Sequence, residues 1–127
     1  MFRRGKYDGF GQIKWENGAL YSGIWEKGQI HGFGEFYWPT ANKQYTGYFN
    51  CNTMEGFGVM EWGDGRKYKG SWEGDKKHGY GVYTNPDSSS ISGTWLSNKQ
   101  HGYGVYISSS QNRKYGAWKH GKKLETL

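Results

Sequence analysis

Three histidines, His31, His78 and His101, each stand immediately before a glycine–aromatic–glycine triplet, and Glu55 holds the same place between them. Imidazoles and carboxylates recurring at one position are zinc-binding residue types, but zinc needs its ligands to converge to about 2.1 Å. Gly116-Ala117-Trp118-Lys119-His120-Gly121-Lys122 reads G-x-x-x-x-G-K, the spacing of a phosphate-cradling loop, yet Lys123 stands where that loop needs the Ser/Thr that holds magnesium. Aromatics (7 Trp, 11 Tyr, 6 Phe) interleave with 17 Lys/Arg, the ingredients of a surface that stacks nucleic-acid bases. The one cysteine, Cys51, has no acid–base partner beside it in the sequence. Which of these chemistries is real depends on the elements that carry them.

Those elements repeat. G-F/Y-G recurs at Gly9-Phe10-Gly11, Gly32-Phe33-Gly34, Gly56-Phe57-Gly58, Gly79-Tyr80-Gly81 and Gly102-Tyr103-Gly104, in steps of 23, 24, 23 and 23 residues. G-x-W/F keeps the same beat at Gly23/Trp25, Gly47/Phe49, Gly70/Trp72, Gly93/Trp95 and Gly116/Trp118. Such a period means a quasi-one-dimensional array in which each unit buries its apolar side against its neighbours. The units run over about 1–20 (partial), 21–44, 45–67, 68–90, 91–113 and 114–127 (partial), within one array over 1–127.

One unit reads as a β-hairpin. Tyr21, Gly23 and Trp25 alternate onto one face of a strand, a short turn follows, and Gly32 to Trp38 returns, rich in strand-forming aromatics and closed by Pro39. The third position after each Trp/Phe is Gly5, Gly28, Asn52, Asp75, Asn98 or Gly121, the residue types that tolerate left-handed backbone. Asn17-Gly18, Asp64-Gly65 and Asn85-Pro86-Asp87 supply the opposite turns, while Ser88–Ser90 and Ser108–Ser110 read as flexible tips. The expected fold is all-β: an extended single-layer antiparallel sheet of stacked hairpins, a twisted ribbon with no compact two-layer core.

In that ribbon three ring ladders form, led by Trp25, by Tyr21 and by Phe10. Copies of a ring lie about 10 Å apart, two strands of about 4.8 Å each, so rings of different ladders intercalate rather than stack on their own copies. The same distance keeps the histidines from converging on a metal and marks them as turn residues. The hairpin context removes the phosphate loop, since Gly116 and Gly121 belong to the repeat. All three ladders are assigned to repeat packing and the basic residues form no continuous stripe, so no nucleic acid is expected.

Composition narrows the class further. The chain has 22 glycines and a net charge of +6. Residues 66–127 hold 11 Lys/Arg against 4 Asp/Glu, whereas residues 1–65 hold 6 against 7. A single cysteine excludes an intramolecular disulfide and points to a reducing, intracellular compartment. There is no apolar run of about 18 residues and no signal-peptide core.

Y-x-G-x-W, a short glycine-bearing turn, G-x-G and the 23-residue spacing together resemble the MORN repeat (membrane occupation and recognition nexus). The resemblance implies scaffold, spacer or docking duties in cytoskeletal or ciliary (axonemal) assemblies, at membrane junctions or beside catalytic domains on other chains. It brings no catalytic residue, metal or cofactor. The chain departs from the pattern at Ile91 and Lys114, where tyrosine is usual, and has half-repeats at both ends. Arg3, Arg4, Lys122 and Lys123 are positioned to guard those open edges.

The expectation is a non-enzymatic scaffold whose partners are other proteins of a larger assembly, with homodimers by edge or face pairing a further outcome. Tyr37, Trp38 and Trp62 are the candidate exposed aromatic contacts, beside Arg113, Lys114, Lys119, Lys122 and Lys123. That basic cluster defines the alternative, an adaptor on acidic phospholipid at about 1 kcal/mol per basic residue; a docking subunit of an enzyme on another chain is the weaker one. Gly9, Gly11, Gly23, Gly32, Gly34, Gly47, Gly56, Gly58, Gly70, Gly79, Gly81, Gly93, Gly102, Gly104 and Gly116 are read as structural, with Trp25, Phe49, Trp72, Trp95 and Trp118.

Overall fold

A computed structural model describes residues 2, 3 and 6–126. Strands β3 (Gly9–Lys14), β4 (Leu20–Glu26), β5 (Gln29–Trp38), β6 (Lys43–Asn50), β7 (Thr53–Trp62), β8 (Lys67–Glu73), β9 (Lys76–Thr84), β10 (Ser90–Leu96), β11 (Lys99–Ile107), β12 (Arg113–Lys119) and β13 (Lys122–Thr126) form one open antiparallel sheet. Each strand pairs only with its sequence neighbours, so the sheet is a pure meander. Two short strands, β1 (Phe2–Arg3) and β2 (Lys6–Tyr7), pair Phe2 with Tyr7. That pair stands one repeat before Trp25↔Ile30, so it is the tip of the preceding hairpin. The expected turn at Gly5 and the charge at Arg4 fall outside the described residues.

A row of ten glycines runs from β3 to β12: Gly11, Gly23, Gly34, Gly47, Gly58, Gly70, Gly81, Gly93, Gly104 and Gly116, each in register with the next. The row has a steric cause. A side chain at Gly34, Gly58 or Gly81 would fall on the ring and hydroxyl of Tyr21, Tyr45 or Tyr68. The missing side chains let each ring lie against bare backbone, the aromatic cover of a strand glycine. The three tyrosines are the most deeply buried large side chains. Their hydroxyls donate to the carbonyls of Ile24, Tyr48 and Ser71 at 2.9–3.0 Å.

The expected intercalation is present. Trp25, Tyr21, Phe49, Tyr45, Trp72, Tyr68 and Trp95 follow one another edge to face, with centroids 5.0–5.6 Å apart. Such pairs add about 0.5–1.5 kcal/mol each beyond area burial. Trp25, Trp72 and Trp95 also donate from the indole Nε1 to Gly11, Gly58 and Gly81 carbonyls at 3.1–3.3 Å. Phe49 has no such donor.

The tight turns are two residues long with positive φ at both, the primed geometry that matches strand twist. Gly28, Asn52, Asp75, Asn98 and Gly121 take the second position as expected, with φ of 66–84°. They also stitch hairpin to hairpin. Asn52, Asp75 and Asn98 accept the amides of Ile30, Met54 and Lys77 through Oδ1 at 2.7–2.9 Å and donate their own amides to the same residues' carbonyls. The Ser88–Ser90 segment is tied down rather than loose: Ser89 is buried and its Oγ donates to Asp87 at 2.6 Å.

Candidate functional site

The sheet has two unlike faces. Tyr21, Gly23 and Trp25 with their copies make the packed face. The residues between them in sequence must point the other way, because strand side chains alternate. That opposite face carries Phe10, Phe33, Phe57, Tyr80 and Tyr103, one per hairpin, from 49% to 71% exposed. Cross-strand neighbours continue the row as Phe10↔Ile24, Phe33↔Tyr48, Phe57↔Ser71, Tyr80↔Thr94 and Tyr103↔Ala117. The assignment of this third ladder to repeat packing is therefore corrected: it faces solvent. The signal was present in the sequence, since a ring set beside the row glycine cannot share that glycine's face.

The row changes character along the chain. Between Phe10 and Phe57 it is continuous, with Tyr48 packed edge to face on Phe33 at 5.5 Å. A shallow groove of about 270 Å³ lies there between Phe10, Ile24 and Phe33. From Phe57 to Ala117 large and small alternate, and Ser71, Thr94 and Ala117 leave gaps between the rings. The Thr94 hydroxyl is turned into the sheet, donating to the His101 carbonyl.

The aromatics chosen from sequence lie elsewhere. Tyr37 is half-buried on the outward face between Leu20 and Gln44. Trp38 and Trp62 are half-buried against the packed face rather than exposed. Trp38 lies 4.3 Å from Phe36 with the Lys43 ammonium over it at 5.1 Å, and Trp62 is covered by Arg66 at 5.0 Å. Cations lying on the ring faces remove them from solvent. Arg113, Lys114, Lys119, Lys122 and Lys123 are all exposed on β12 and β13.

Sequence reasoning missed Lys77. It occupies the place that Ile30 and Met54 fill in earlier hairpins, opposite Trp72. Its ammonium lies 5.7–6.0 Å from the rings of Trp62, Tyr68, Tyr83 and Trp95. Burial, aided by the nearby charges of Arg66 and Lys43, holds its pKa below the usual lysine range. Burial has the opposite sign for the phenols, pushing Tyr21 up to about 12 and Tyr45 and Tyr68 higher still.

The histidine position has a structural use. Asp8, His31, Glu55 and His101 accept the amide of the first residue of the next turn, Lys27, Cys51, Gly74 and His120, at 3.1–3.4 Å. What recurs is an acceptor, which explains why Asp and Glu substitute for His. Among the described residues, no three His, Cys, Asp or Glu side chains group as metal ligands. Gly121 lies in the β12–β13 hairpin turn, so the G-x-x-x-x-G-K segment is not a strand-to-helix loop. Cys51 is exposed at the first position of its turn.

The profile of the MORN repeat matches residues 1–20, 21–43, 45–65, 68–90 and 92–113. This is a MORN-repeat protein. Its five matched repeats coincide with the hairpin period, and arrays of this family are protein-interaction modules, generally without catalysis of their own. No curated protein matches the chain. Among solved structures it is similar to the TCP domain of SAS-4 (dCPAP) of Drosophila melanogaster, in complex with a proline-rich motif of Ana2 (dSTIL). That similarity has 16% identity, a TM-score of 0.39, and covers 94% of this chain and 84% of the other.

Proposed function

We propose that this MORN array is a non-catalytic docking scaffold, a structural component of an intracellular cytoskeletal or ciliary assembly, that seats protein partners along the outward aromatic row. The observation that carries the reading is the row itself. Five exposed rings at one repeat position are costly to leave in water, and contiguous exposed apolar surface marks an interaction site. Repeat packing uses the rings of the other face, so it does not explain them. The cytoskeletal or axonemal setting rests on where the family's members occur.

The test is a photo-reactive aromatic at Tyr80 or Tyr103, followed by non-ionic detergent extraction of the source cells. Retention with the insoluble skeleton, with protein cross-links from both positions, is the expected outcome. Release with the lipids and no cross-link from either position would defeat the reading.

The exposed cluster Arg113, Lys114, Lys119, Lys122 and Lys123 favours one second reading, an adaptor on acidic phospholipid. Salt-sensitive binding to anionic vesicles, abolished by Lys122→Glu with Lys123→Glu, would establish it. Vesicle binding indifferent to that charge reversal would remove it.

A further inference from the structure

We propose that Lys77 is a reactive amine on the packed face, which condenses with a small aldehyde carrying an anionic group to form an imine. The site goes beyond the docking reading, which concerns the opposite face and stands or falls separately.

The surroundings of the side chain carry the proposal. Lys77 lies opposite Trp72, where the two preceding hairpins place Ile30 and Met54, so a cation occupies an apolar position of the fold. Its Nζ lies 5.7–6.0 Å from four rings, those of Trp62, Tyr68, Tyr83 and Trp95, and is seated on none of them. Lys43 and Arg66 sit closer to single rings, Lys43 at 5.1 Å from Trp38 and Arg66 at 5.0 Å from Trp62. An ammonium gains most when centred over one ring and little at the outer limit of about 6 Å. Among the described residues no carboxylate pairs with Lys77, whereas Arg66 is bound to Asp64 at 2.7 Å. The Lys77 ammonium therefore loses water, gains weak ring contacts and keeps two like charges nearby. Burial, then the charges of Arg66 and Lys43, accordingly hold its pKa below the usual lysine range. Desolvation among apolar groups beside another cation is the arrangement that turns a lysine into a nucleophile.

The neighbours set the ligand class. Lys43 and Arg66 are half-buried and close enough for their charges to act on Lys77, and Asp64 is already taken by Arg66. An anionic group on the aldehyde offsets the remaining positive charge. Lys77 is itself half-buried on a one-layer sheet, which leaves the amine within reach of a small solute. The amine lone pair adds to the carbonyl carbon to give a carbinolamine. Both amine protons then leave with the carbonyl oxygen as water, and a C=N bond remains on Nζ. No oxidant or reductant is needed.

The chain carries its own controls. Lys123 holds the same repeat position, opposite Trp118, and Lys76 is the adjacent residue; both are exposed. The experiment treats the 127-residue chain with limiting pyridoxal 5′-phosphate at neutral pH, traps the imine with borohydride and maps the labelled lysines by mass spectrometry. Pyridoxal, which lacks the phosphate, is run in parallel. Lys77 should carry at least about ten times the label of Lys76 or Lys123. Pyridoxal should keep that preference but label Lys77 several-fold more slowly. The fast-labelled species should vanish in Lys77→Met, and the advantage of the phosphate should shrink in Lys43→Gln with Arg66→Gln. Label spread evenly over the exposed lysines, or Lys77 left unlabelled, would overturn the reactive amine. Equal rates for the two aldehydes at Lys77 in the wild-type chain would overturn the anionic ligand class.

Discussion

The hairpins led by Tyr21, Tyr45 and Tyr68 and those led by Ile91 and Lys114 share one backbone pattern but not one core. In the first three the tyrosine covers the glycine row, and Trp25, Phe49 or Trp72 meets it edge to face. Ile30 and Met54 close the same face. Proceeding along the chain, that position reads Ile30, Met54, Lys77, Gln100 and Lys123, and the tyrosine position reads Tyr21, Tyr45, Tyr68, Ile91 and Lys114. The series of rings ends at Trp95, and Gly104 is approached by Trp118 instead of a tyrosine. Tyr115, displaced by one residue, lands on the outward face and is half exposed. The difference teaches that hydrogen-bonded register alone specifies the ribbon, whereas the tyrosine–glycine layer makes it strong.

The largest effect should come from removing that layer where it is complete. Tyr68→Ala should cost about 3–5 kcal/mol, the range for large buried side chains, and Ile91→Ala clearly less because Ile91 is only half-buried. Equilibrium denaturation of both variants checks the ordering, and equal losses would break the comparison.

Alkali probes the same layer without mutation. Phenols whose folded pKa is raised stay protonated while the unfolded chain ionises from about pH 10. Their contribution is fully present below pH 10 and is lost as pH climbs toward the folded values, about 12 for Tyr21 and higher for Tyr45 and Tyr68. Stability should fall by roughly 1.4 kcal/mol per pH unit for each such tyrosine, and Tyr45→Phe should flatten the slope.

Extending the layer should strengthen the weak half. Ile91→Tyr restores a ring over Gly93 and Gly104 and should raise stability by about 1 kcal/mol, one added aromatic pair. A thermal scan reads it, and a decrease would mean that Trp118 already fills the space. Lys77→Met should add a smaller increment at neutral pH. The lysine's depressed pKa makes its charge a cost below that pKa, a cost that vanishes as pH rises toward the unfolded value near 10.4. The gap between variant and wild type should narrow across that window, and a constant gap would show that lost ring contacts dominate.

The smallest expected effect is in a turn. The wide hairpin loops place Gly18 and Gly65 in the left-handed region in the first half but Ser88 and Gln111 in the second, at φ of 74° and 72°. Gln111→Gly should gain a few tenths to about 1 kcal/mol, readable as a small rise in melting temperature.

Much of this fold was legible in the sequence because the 23-residue beat fixes strands, turns and glycine register together. Asn52, Asp75 and Asn98 announced left-handed turn positions. Their second duty, accepting the amides of Ile30, Met54 and Lys77, depends on neighbours more than twenty residues away and left no local mark. The first turn residues, Lys27, Cys51, Ser97 and His120, also take positive φ, which their types do not advertise. The outward row was readable by alternation but was obscured because all rings were counted as core. The burial of Trp38 and Trp62 depended on Lys43, Arg66 and Lys77 reaching over them, which only the packed sheet reveals.

Residue-resolved native-state hydrogen exchange tests the central claim most directly. Strands β4–β12 each pair on both sides, so differences in protection among them report the side-chain layer. The account predicts that amides in β4–β8 are protected at least about tenfold more than those in β10–β12, with the boundary at Trp95. Uniform protection across the sheet, or greater protection in β10–β12, would contradict it.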